Sequence, residues 1–275
     1  MRAQCTICPH ACTPDEGRTG LCRARGNVDG EIQDLNYGQL TSAALDPIEK
    51  KPLARFMPGS YILSVGSYGC NLRCGWCQNN EISMCGAGDR ETTFCPPEQL
   101  TETAKSLVPR GNIGVAYTYN EPLIGYEYVL DSAELVRDAG LKNVIVTNGY
   151  ITEEPLRALL PFVDAMNIDL KTFSDARYRE IGGDLETVKR SIELANDACH
   201  VEVTALIVPG WNESEDEMEK LSMWLASVNP DIPLHVTRFF PRYLMQDTHP
   251  TNIKALLHLA DVAKRRLTYV YEGNI

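Results

Sequence analysis

Cys70, Cys74 and Cys77 lie in the run Ser67-Tyr-Gly-Cys70-Asn-Leu-Arg-Cys74-Gly-Trp-Cys77-Gln78. Thiolates are ligands of zinc and of iron–sulfur centres, and C-x3-C-x2-C spacing gathers three of them in one short loop. A cubic [4Fe–4S] cluster ordinarily takes four thiolates, so three leave one iron open to a small molecule. A zinc site is the alternative, although zinc more often uses paired C-x2-C elements. Four further cysteines, Cys5, Cys8, Cys12 and Cys22, form C-x2-C-x3-C-x9-C with His10 inside the run. Four thiolates suit one structural Zn²⁺ holding together a segment too short for a core of its own, or a second iron–sulfur cluster that relays electrons. Cys85, Cys95 and Cys199 fall outside both groups and read as small buried apolar residues.

The chain of 275 residues can bury one catalytic core with an appendage. A net charge of −11 argues against general binding to phosphate backbones, so nucleic acid is not an expected partner. No apolar run reaches the roughly 18 residues of a membrane span, and Met1-Arg-Ala-Gln-Cys5 lacks the apolar stretch of a signal peptide. The expectation is a cytoplasmic protein with no membrane partner, in which thiols stay reduced and clustered cysteines point to metal.

From residue 57 onward, short β-branched runs alternate with amphipathic segments, the pattern of βα units and a mainly parallel sheet. The expected strands are 62–68, 113–119, 143–147, 165–170, 201–208 and 234–239. Helical spacing covers 97–107, 126–139, 185–197, 213–227 and 253–266. Six βα units are fewer than the eight of a closed barrel, so an open, partial (β/α)6 TIM-like barrel fits the count, with a doubly wound sheet as the alternative. Residues 1–56, Cys-rich and marked by turn residues, form a small metal-binding module with one possible strand at Gly30-Glu-Ile-Gln-Asp-Leu35.

In such a fold the C-terminal strand ends present the chemistry, and the polar residues gather there. The cysteine loop follows the first strand; Tyr119-Asn120-Glu121-Pro122 ends the second, Thr147-Asn148-Gly149 the third, Asp169-Leu-Lys171 the fourth and Thr237-Arg238 the sixth. Burying such groups without partners costs several kcal/mol each, so a purely structural reading accounts poorly for this rim.

The cysteine run resembles that of the radical S-adenosylmethionine (SAM) superfamily, in which SAM docks on the open iron and is cleaved to methionine and a hydrogen-abstracting 5′-deoxyadenosyl radical. The rim is similar to that of glycyl radical enzyme activating enzymes, typified by pyruvate formate-lyase activating enzyme. That resemblance implies SAM contacts from Trp76 beside the adenine, Asn120 and Glu121 at the amine, Lys171 near the carboxylate, and Gln78, Asn148, Asp169 and Arg238. The Gly-Gly-Glu segment usual after the second strand in that group is replaced here by Tyr119-Asn120-Glu121-Pro122, and the group's histidine after the sixth strand is not evident in Phe240-Pro-Arg242-Tyr243. The combination Cys8-Pro9-His10-x-Cys12, Asp46-Pro-Ile-Glu-Lys-Lys-Pro-Leu53, Pro58-Gly-Ser60, Cys77-Gln-Asn79, Tyr117-Thr-Tyr-Asn-Glu-Pro122 and Val208-Pro-Gly210 resembles the radical SAM protein of the AmmeMemoRadiSam system. The resemblance implies an activating-enzyme-like oxidoreductase served by a reductant such as flavodoxin or ferredoxin, with a substrate that the sequence does not identify and a protein among the candidates. A non-catalytic iron–sulfur electron carrier or a zinc-organised binding protein is the competing reading.

Overall fold

Aliphatic and β-branched runs become the strands of one sheet in the computed structural model, which describes residues 3–275. The strands are β1 (Ser42–Pro47), β2 (Tyr61–Gly66), β3 (Asn112–Tyr117), β4 (Lys142–Thr147), β5 (Ala165–Asp169), β6 (His200–Ile207), β7 (Leu234–Arg238) and β8 (Val270–Gly273). They lie in strict chain order across the sheet, β2 to β8 parallel and β1 antiparallel at one edge. A doubly wound sheet reverses its strand order at a switch point, and this one does not. The arrangement is the open, partial α/β barrel expected from the six βα units, extended by β1 and β8.

Those two edge strands carry weak sequence signals. Ser-Ala-Ala-Leu-Asp-Pro in β1 has no β-branched residue, and every position in it is at least partly exposed. It nonetheless pairs with β2 from Ser42↔Gly66 to Pro47↔Tyr61, so part of the 1–56 segment adds to the central sheet. Upstream, Arg25–Val28 and Glu31–Asp34 make a hairpin through Asp29-Gly30, both with positive φ (54° and 85°) as a type I′ turn demands.

Alternation along the strands sends Leu63, Val65, Val115 and Ile145 into the main core under the helices. Ile62, Ala116, Val144 and Ala165 face a second, inner cluster with Ile48 and Leu53. Asp184, Ser214 and Asn252 cap Leu185–Asn196, Glu215–Val228 and Ile253–Lys264, their side-chain oxygens accepting first-turn amides. The cap at Ser214 moves the start of its helix two residues beyond the expected Glu213. Among the described residues no helix is long and apolar enough to cross a membrane.

Candidate functional site

The loop after β2 turns back on itself at Gly69, whose φ of 86° suits glycine. A Cβ there would stand 2.4 Å from the carbonyl oxygen of Cys22, so the cysteine loop and the N-terminal segment are in backbone contact. Cys70, Cys74 and Cys77 are free thiols. Burial pushes the Cys74 thiol up to about 11, and burial with the nearby Glu121 charge raises Cys70 as well. A thiol held neutral by burial becomes a ligand by surrendering its proton to a metal. The Cys74 and Cys77 sulfurs add to the rise at Cys70, and Cys77 adds to that at Cys74. Yet among the described residues no three Cys, His, Asp or Glu side chains close around a single ion. Three thiols from one loop are the donor set of a polynuclear cluster, in which each sulfur takes a different iron.

Two carboxylates and a lysine border these sulfurs. Glu121 is 3 % exposed and accepts hydrogen bonds from the Thr147 hydroxyl (2.7 Å) and from the amides of Asn148 (2.7 Å) and Leu123 (3.0 Å). Burial outweighs these donors and the Asp169 charge adds to it, so its carboxyl is pushed up to about 7. Across the rim Lys171 Nζ lies 2.8 Å from Asp169 Oδ2. Burial alone would lower its pKa, but Asp169 and the Cys74 and Cys77 sulfurs raise it, keeping the ammonium charged. The Tyr178 hydroxyl accepts from the Lys171 amide (3.0 Å), and Asn212 donates to the Lys171 carbonyl (2.9 Å). Asn148 Nδ2 reaches Cys70 Sγ (3.7 Å) and Asn71 Oδ1 (2.9 Å). Thr147 and Asn71 lie inside quoted motifs, but the sequence gives no sign of their contacts.

Trp76 is buried, and its ring meets Trp211 edge-on at 4.9 Å, with the Arg177 guanidinium 5.0 Å from the Trp211 ring. Trp211 Nε1 is buried and has no hydrogen-bond partner in the protein. Such an orphan donor marks a place where an acceptor belongs. Trp211 follows Val208-Pro-Gly210, and only the fold brings it to the cysteine loop.

Three other candidates are used differently. Asn120 accepts from Ser67 N (3.0 Å) and donates to the Tyr68 and Gly69 carbonyls (both 3.1 Å), so its carboxamide fastens the start of the cysteine loop to the end of β3. Tyr119 before it has φ of 72°, an uncommon conformation for a bulky residue, and its hydroxyl donates to Asp46 (2.7 Å). Gln78 is exposed. Arg238 donates to the Thr251 carbonyl (2.8 Å) and lies over Phe240, so β7 uses it to hold its own following loop.

The family model described as the Radical SAM superfamily matches residues 64–225. An uncharacterized protein of Methanocaldococcus jannaschii is 39% identical over 277 residues, covering 100% of this chain and 82% of that protein. The pyruvate formate-lyase 1-activating enzyme of Escherichia coli is 25% identical over 157 residues, 56% of this chain and 63% of the enzyme, so the match spans less than two thirds of that relative. Among solved structures, Streptococcus suis SuiB bound to S-adenosylmethionine aligns with a TM-score of 0.57 at 14% identity over 78% of this chain and 52% of that one. A domain of pyruvate-formate lyase-activating enzyme from Bacteroides vulgatus aligns with a TM-score of 0.51 at 16% identity over 58% of this chain and 99% of that one.

Proposed function

We propose that this chain, which belongs to the radical SAM superfamily, is an enzyme that cleaves S-adenosylmethionine reductively and uses the product radical to take a hydrogen atom from a substrate. The observation that carries this reading is the meeting of three neighbouring thiols with Glu121, Asp169 and Lys171 on one rim. Cys70, Cys74 and Cys77 would hold a [4Fe–4S] cluster, which when bound and reduced supplies the electron for breaking the SAM carbon–sulfur bond.

The protein's own groups bind and orient. Glu121 and Asp169 offer carboxylate oxygens to the methionyl ammonium, and that cation would bring Glu121 back toward its ordinary ionised state. Lys171 supplies the cation for the SAM carboxylate. Trp76 gives the adenine an aromatic wall, and the orphan Trp211 N–H offers it a donor. Asn120 acts as a positioning residue through the loop it fastens. The surrounding burial keeps water from the radical.

The favoured substrate is a glycine of a partner protein, with this chain as its activating enzyme. This reading is supported by the 25% identity to a pyruvate formate-lyase activating enzyme. We place it in the cytoplasm, served by flavodoxin or ferredoxin. Anaerobic reconstitution with iron, sulfide, dithionite and SAM tests the chemistry through formation of 5′-deoxyadenosine. An intact cluster that yields none sinks the enzyme reading in favour of an electron carrier. Glycyl radical EPR on a candidate partner tests the substrate.

A further inference from the structure

Cys5, Cys8, Cys12 and Cys22 line one cavity together with His10 and Arg25, and all four are free thiols. Four thiolates meet the needs of one tetrahedral zinc or of a cubane in which each takes its own iron. What separates the two is the neighbour, since a closed cubane beside Cys70, Cys74 and Cys77 can pass an electron to that site and zinc cannot.

The two sulfur groups also share a wall. The Cys22 carbonyl lies against Gly69, directly before Cys70. Arg73 donates to the Leu21 carbonyl and, at 2.8 Å, to the Cys70 carbonyl, which clamps the residue before Cys22 to the first ligand of the trio. His10 Nε2 hydrogen-bonds the Asn71 carbonyl oxygen at 2.8 Å. The Asn71 carboxamide reaches the Cys8 thiol on one side and, through Asn148 Nδ2, the Cys70 sulfur on the other. Asn71 and Asn148 together thus link the two sites. Cys12 is the least buried of the quartet, and Leu21 beside the site is 51 % exposed, so the cavity has an outward side.

The geometry points to a second [4Fe–4S] cluster on Cys5, Cys8, Cys12 and Cys22, placed as the electron entry to the cluster on Cys70, Cys74 and Cys77. Four thiolates close all four irons, which suits electron transfer and leaves no position for substrate. An external one-electron donor of the low-potential flavin or iron–sulfur protein class reduces the outer cluster by one electron. That electron passes inward, returning the outer cluster to its oxidised state; no bond breaks and no proton moves. The relay part of this inference rests on the proposed function, whereas the identity of the metal does not.

Reconstitution of the full chain with iron, sulfide and equimolar zinc provides the test. Wild type is expected to hold about eight irons and Cys70→Ala/Cys74→Ala/Cys77→Ala about four, with an EPR signal on reduction that SAM leaves unchanged. One zinc and no iron in that triple variant overturns the second cluster. For the relay, the inner cluster of Cys5→Ser/Cys8→Ser/Cys12→Ser/Cys22→Ser should be reduced by photoreduced flavodoxin at least about tenfold more slowly than in wild type, read by EPR without SAM. Dithionite, small enough to reach it directly, should still reduce it. Equal rates with flavodoxin overturn the relay, as does equal slowing with both donors. Should the quadruple variant not fold, Cys12→Ser carries the same comparison. An iron-loaded triple variant alongside wild type that makes no 5′-deoxyadenosine would retain this site and refute the proposed function; the reverse pattern would do the opposite.

Discussion

Glu121 and Glu202 are buried glutamates at opposite ends of the same barrel, and their pKa values move in opposite directions. Glu121, at the C-terminal rim, accepts three hydrogen bonds from neutral donors, and burial still pushes it up to about 7. Glu202, near the start of β6, is bonded by His200 (2.9 Å), His235 (2.6 Å) and the amides of Ala54 (2.9 Å) and Arg55 (2.7 Å). Burial raises it too, but these four partners win and hold it at about 2. The base of the barrel satisfies its own carboxylate; the rim holds one whose balance a cationic ligand would complete. Ends of a barrel divide into stability and chemistry in this way because only one end must accommodate something from outside.

The sharpest way to break this contrast is to remove chemistry from the rim without touching the base. Cys74→Ala is expected to cut 5′-deoxyadenosine formation by at least about a thousandfold while thermal melting of the metal-free chain stays nearly unchanged. The reverse experiment is Glu202→Ala, which strips four donors of their acceptor at a cost of about 3 kcal/mol or more, lowering the melting midpoint by about 10 °C. SAM cleavage per folded molecule should survive it within about twofold. A stable Glu202→Ala protein would show that the base is not the anchor described here.

Denaturant titrations across pH sharpen the comparison further. The Glu202 contribution, with its folded pKa depressed, is present above about pH 4.5 and is lost as pH falls toward 2. Glu121 has the opposite sign: its folded pKa is raised, so the metal-free chain loses stability as pH rises from about 4.5 through 7. Each limb is expected to amount to about 3 kcal/mol, with Glu202→Gln flattening the acid side and Glu121→Gln the neutral one. Lys171→Met should weaken SAM binding about tenfold by equilibrium dialysis, the loss of one charge-assisted contact. The smallest effect belongs to Cys85→Ala. Its buried thiol donates only to the Ile82 carbonyl (3.2 Å), and activity and iron content should both remain at wild-type levels.

Much of the site was legible because its key spacings are local. Three ligands within eight residues, and a polar residue at the end of each β-branched run, require no knowledge of what packs where. Asn120 shows the limit of such reading: its place at a strand end is visible, but its use on the Tyr68 and Gly69 carbonyls depends on how closely β2 and β3 approach. Trp211 was missed for a related reason. An aromatic after Val208-Pro-Gly210 looks like any loop residue until the loop folds over Trp76. The β1 strand was hidden because an edge strand needs backbone pairing more than side-chain pattern.

The sequence by itself determined the thiol inventory and the βα rhythm, since each follows from residues near one another in the chain. Tertiary structure alone decided the order of the strands and which groups meet: that Cys22 abuts Gly69, that Asn71 and Asn148 link the two sulfur sites, and that one buried glutamate has its pKa raised and another has it lowered. The physical reason is that ligand spacing is set by covalent connectivity, whereas burial and charge balance are sums over neighbours that distant segments supply.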